Sequence, residues 1–131
     1  MKRQWVRLAL VIAVMMLLAA CGGGEDTTAD DANDPLVAQG QELFQTGGAS
    51  QVGCVTCHTL DGTDLVGPSM QGISERAGER TNLSAEAYLH ESIVDPGAYL
   101  VEGYENVMNS NYDETLSDEE IDALVAYLMT Q

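Results

Sequence analysis

Cys54-Val55-Thr56-Cys57-His58 constrains this chain more than any other five residues in it. Two thiols three positions apart, followed at once by an imidazole, make the C-x-x-C-H spacing of covalent haem attachment. On one turn of backbone the thiols can reach two vinyl groups along one porphyrin edge. The next side chain then sets a ring nitrogen under the iron. A thioredoxin-like dithiol would need the same pair beside a βαβ pattern, and no alternating run of β-branched or aromatic residues appears. A zinc site would need a second pair of ligands at matching spacing, and beyond the motif and Cys21 only His90 remains. The expected cofactor is one covalent haem c with its iron.

The first twenty residues stand apart from the rest. Lys2, Arg3 and Arg7 precede an unbroken apolar run from Leu8 to Ala20. That run falls short of the roughly 20 residues that span a bilayer, so it reads as the core of an export signal. Leu18-Ala19-Ala20-Cys21 resembles the lipobox of bacterial lipoprotein precursors, which implies lipidation of Cys21 and a stable anchor through more than one acyl chain. Residues 22–34 (GGGEDTTADDAND) are glycine-rich and acidic and read as a linker, reaching at most ~45 Å when stretched. The expected division is therefore a lipoprotein signal peptide at 1–20, a lipidated N-terminus and flexible acidic linker at 21–34, and one domain at 35–131. The expected location is outside the cytoplasm, tethered to a bacterial membrane.

Processing would remove three of the five basic residues, leaving Arg76 and Arg80 against 21 acidic ones, a formal charge of −19. A field of that sign excludes nucleic acid as a partner. It suits docking on a basic protein surface, and it equally suits plain solubility. With Cys21 lipidated, Cys54 and Cys57 are an isolated pair, too few for a disulfide scaffold. The domain also lacks bulk: Trp5 leaves with the signal and Phe44 is the single phenylalanine. So small a core calls for a large apolar insert, which a porphyrin would supply.

Helical spacing dominates what remains. Asp34-Pro35 reads as an N-cap with proline in the first helical position, and Leu36, Val37, Gly40, Leu43 and Phe44 follow up to the stop at Gly47-Gly48. A loop holds residues 49–66, and a short helix is expected from Met70 to about Ala77. Ser84 caps a third helix with Tyr88, Leu89 and Ile93 on its buried face, ended by Asp95-Pro96-Gly97. Residues 97–116 read as irregular. Ser117-Asp118-Glu119-Glu120 is a capping box, Leu116 and Ile121 form a hydrophobic staple, and Ile121, Leu124, Val125 and Leu128 make one stripe. The expected fold class is all-α.

From these residues on, the chain resembles the class I cytochromes c, most of all the short domains associated with subunit II of terminal oxidases. The resemblance covers about residues 35–131. It implies a small cytochrome c fold of three to five helices around one haem. Gly40 with Phe44, and Tyr127 with Leu128, resemble the family's pair at the crossing of its terminal helices. Gly67-Pro68-Ser69-Met70 resembles the loop whose proline carbonyl accepts a hydrogen bond from the proximal imidazole, here His58. Met70 would lie against the haem. For the second axial ligand the candidates are Met70, Met108, Met129 and His90. The resemblance points to Met108, 50 residues beyond His58 in the irregular segment, though Asn109 stands where the family commonly has proline. Tyr99, Tyr104 and Tyr112 would pack around the ring.

The implied function is single-electron transfer between respiratory complexes, toward a terminal oxidase, since His and Met ligation leaves no open iron site for oxygen or substrate. Membrane complexes with a basic docking surface are the expected partners, with no small-molecule substrate and no enzyme activity. Two alternatives compete: a haem-based gas or redox sensor in which Met108 is labile, and a small peroxidase-like enzyme relying on His90.

Overall fold

The computed structural model describes residues 34–131; the expected export signal, Cys21 and nearly all of the expected linker lie outside the described residues. Five α-helices follow one another: α1 Pro35–Thr46, α2 Ile73–Arg76, α3 Ala85–Val94, α4 Tyr112–Thr115 and α5 Asp118–Leu128. Three-residue 3₁₀ turns lie at Gly48–Ser50, Cys54–Thr56 and Ala77–Glu79, and no strand occurs among the described residues. The fold is all-α, as the spacing of apolar residues requires.

Local chemistry accounts for most helix ends. The Asp34 side chain accepts from the Leu36 N–H at 2.8 Å and Pro35 opens α1, while Gly47 closes it in the left-handed conformation. Ser84 accepts from Ala87 at the start of α3. In α5 the capping box is complete: Ser117 accepts from the Glu120 N–H at 3.3 Å, and Glu120 accepts from the Ser117 N–H at 2.9 Å.

The frame is the pairing of α1 with α5, the most extensive helix contact in the domain. Gly40 makes it possible. A Cβ built there would overlap the Ala123 carbonyl and the Tyr127 Cβ, so only glycine lets the backbones approach this closely. Beside the crossing, the rings of Phe44 and Tyr127 meet at 5.6 Å and 56°. Phe44 is 1 % and Ile121 2 % exposed, and Leu124, Val125 and Leu128 are buried with them. Leu36 alone of the expected α1 positions is exposed.

Two expectations shift in detail. The helix expected from Met70 to Ala77 is one α-turn, Ile73–Arg76, continued by the 3₁₀ turn Ala77–Glu79. Gly72 precedes it at φ 64°, a backbone state that cannot extend the helix toward Met70. The segment expected to be irregular to Leu116 contains α4, which buries Tyr112. Four residues are too few for a periodicity to show in sequence.

Candidate functional site

The Cys54–Thr56 turn sits against α1 and carries the motif into the space between α1, α3 and α5. The N–H groups of Cys57 and His58 both bond the Cys54 carbonyl, at 3.1 and 2.9 Å. That tight turn sets the two thiols and the imidazole on one cavity wall. The cavity measures about 470 Å³, within the roughly 300–1,000 Å³ of cofactor sites. Its walls are mostly apolar, including Leu43, Phe44, Leu89, Ile93, Leu124 and Leu128.

Cys54, Cys57, His58, Pro68, Met70, Met108 and Tyr112 all line this one space, although they span 59 positions of sequence from first to last. Tyr99 and Tyr104 line it too. Met129, the cap residue after α5, and the exposed His90 of α3 do not. Cys21 lies outside the described residues.

His58 is held in one orientation. Its Nδ1 lies 2.8 Å from the Pro68 carbonyl oxygen. A carbonyl only accepts, so Nδ1 carries the proton and Nε2 keeps a lone pair for a metal. Gly67 packs on the ring so closely that a Cβ there would overlap Cε1. Burial lowers the His58 pKa, with the Pro68 hydrogen bond opposing, so the imidazole is neutral and suited to ligation. Burial pushes the Cys54 thiol up to about 11, against a hydrogen bond at its own backbone and with Cys57 adding to the rise. Reactive dithiols show the opposite shift. Among the described residues no three His, Cys, Asp or Glu side chains converge on a metal position. The dithiol and zinc readings of the motif therefore find no support.

The model for cytochrome c matches residues 37–131. The chain belongs to the cytochrome c family. Its helical architecture is the cytochrome c fold, and its cofactor is haem c, covalently attached and carrying iron. No curated protein matches the chain. The residues present fit the group: two thiols, one oriented imidazole with a free nitrogen and a thioether open into one apolar cavity. Cys54 and Cys57 would hold the ring covalently, and His58 and Met108 would ligate the iron. When bound, haem supplies a one-electron iron couple. The protein is a haem electron-transfer protein.

Sequence reasoning passed over several residues of the wall. Arg80, Ser92 and Val101 line the cavity. Arg80 alone had a visible signal, as one of two cations in an acidic domain.

Proposed function

We propose that this cytochrome is a lipid-anchored carrier, working outside the cytoplasm, that passes single electrons between membrane respiratory complexes toward a terminal oxidase. One observation carries the electron-carrier part of the reading: the motif thiols, His58 and Met108 open into the same apolar cavity. Axial ligation by His58 and Met108 would saturate the iron and favour a higher potential than two histidines. With haem bound, the apolar walls would keep water and competing ligands from the iron. His90, the histidine that a peroxidase-like site would need, lies outside this cavity.

Anchoring and partner rest on sequence. The signal and lipobox before Cys21 support the tether, which would keep the carrier at high effective concentration beside membrane complexes. The 21 acidic residues support a basic docking surface on the partner.

The test is expression of the whole chain in a bacterium with haem-attachment machinery. A denatured gel stained for haem should show a coloured band in the membrane fraction. Cys21→Ser should move that band to the soluble exported fraction, and Cys54→Ala with Cys57→Ala should abolish it. A stained wild-type band that is soluble from the start would reject the tether, and a colourless folded protein would reject the carrier.

A further inference from the structure

A hydroxyl buried without a partner costs stability, so its place in a fold is informative. Tyr112 carries such a group. It opens the one-turn helix α4, which packs on the Gly48–Ser50 turn and on α3, and it is 8 % exposed. Its ring belongs to the same core as Leu43, Phe44 and Leu124, and its side chain lines the main cavity. No hydrogen bond from its hydroxyl to the protein occurs among the described residues. Every polar side-chain atom there that is wholly enclosed does have a partner. The Tyr112 hydroxyl is therefore not sealed within protein; on so buried a residue it opens onto the cavity. Tyr88 and Tyr127 are buried as well, but Tyr127 stands at the helix crossing without lining the cavity, and the Tyr88 ring is turned to Tyr99 and Arg80.

Two sulfurs lie close to that hydroxyl. Burial first, then the charge that Cys54 and, to a smaller extent, Cys57 would carry as thiolates, holds the Tyr112 phenol above its usual range. Cys54 packs against the core that contains Tyr112. Haem attachment turns its thiol into a thioether, a sulfur that accepts hydrogen bonds and donates none, whereas a phenol is a donor. We propose that the Tyr112 hydroxyl donates a hydrogen bond to the thioether sulfur that Cys54 forms with haem c. The Met108 sulfur, four positions before Tyr112, is the competing acceptor, and its electron pair would be directed at the iron. A donor at the Cys54 sulfur draws electron density from the ring edge to which that sulfur is joined, which favours the reduced iron. Tyr112 is thus a positioning residue that fixes one thioether and adjusts the iron couple through it.

This inference rests on the haem assignment, and the experiment separates the two. The exported, haem-loaded full chain is compared with Tyr112→Phe, Cys54→Ala and the double variant. Phenylalanine keeps the ring and its packing, so only the hydroxyl is lost. Tyr112→Phe should keep its covalent haem and its methionine–iron charge-transfer band. One thioether carbon–sulfur stretching band in resonance Raman should shift. The reduction equilibrium should fall about threefold, which is about 28 mV for one electron at about 59 mV per tenfold. With haem held by Cys57 alone in Cys54→Ala, adding Tyr112→Phe should change neither the remaining band nor the potential further. Unchanged carbon–sulfur bands in Tyr112→Phe overturn the proposal. So does a shifted methionine–iron band with the carbon–sulfur bands in place, which would turn the hydroxyl to Met108, and so does a Tyr112→Phe effect that persists in full in Cys54→Ala. If Cys54→Ala does not load haem, the carbon–sulfur bands of Tyr112→Phe decide alone. Absence of covalent haem from the wild type would reject the haem assignment itself, and this hydrogen bond with it.

Discussion

Residues 53–70 and residues 95–111 both line the cavity, yet one segment is knitted across its width while the backbone N–H groups of the other bond only to near neighbours. In the first, Gly67 N–H reaches the Cys57 carbonyl at 2.9 Å, Met70 N–H reaches Thr59 at 2.8 Å, and His58 reaches Pro68. The Ser69 hydroxyl adds bonds with Thr59 and with the Gly62 N–H. In the second, the backbone N–H bonds are Asp95 to Glu91, Ala98 to Asp95, Tyr104 to Val101, Val107 to Glu105 and Asn111 to the Asn109 side chain. None of these spans more than four positions. Val107, just before Met108, is 63 % exposed. The motif side is thus arranged by the polypeptide itself. The Met108 side depends on what it packs against, as segments with few long-range bonds generally do.

That contrast can be broken most directly at the ligands. Met108→Ala should retain covalent haem, lose the methionine–iron charge-transfer band, lower the potential and bind carbon monoxide rapidly when reduced. Met70→Ala, altering the better-tied segment, should change the spectrum far less. The reverse ranking would mean that the ligand lies on the wrong segment in this account.

A change in the common frame sharpens the comparison. Gly40→Ala forces a methyl group into the Ala123 carbonyl and should destabilise the fold by about 1–3 kcal/mol, as overpacking does. Denaturant unfolding of the haem-loaded protein measures it. The visible spectrum should stay native, because neither segment is touched; an altered spectrum would show that the Met108 side also senses the helix crossing.

The smallest effect is expected where the two segments meet. Asp64 is held below the usual carboxylate range, first by the Ser69 N–H, then by the Tyr104 hydroxyl, with Arg76 contributing less. A lowered folded pKa stabilises the fold above the unfolded value of about 3.9, and that contribution is lost as pH falls through the folded value. Asp64→Asn should therefore melt slightly below wild type at neutral pH, with the gap closing below about pH 4. A gap that persists undiminished in acid would mean that the carboxylate's charge plays no part.

Much of the site was legible because its chemistry is local. The thiols, the imidazole and the capping box at Ser117 each act over a few positions, so spacing alone reveals them. The Gly40 crossing, Pro68 and Met108 came through family resemblance, since nothing local marks one methionine of three as a ligand. Tyr112 was grouped with Tyr99 and Tyr104, but not recognised as buried on a helix of its own. Arg80 was visible only as one of two cations in an acidic domain; its place on the cavity wall has no sequence pattern.

By itself the amino-acid sequence pointed to a helical chain, to haem attachment at the Cys54, Cys57 and His58 motif, and to too little apolar bulk to close a core unaided. Those conclusions follow from covalent spacing, capping and side-chain volume, which act along the chain. The tertiary structure decided which distant residues face the cavity and which segment is tied across its own width. Those depend on how α1 and α5 cross and on where the loops between them are carried, and such relations exist only once the chain has packed.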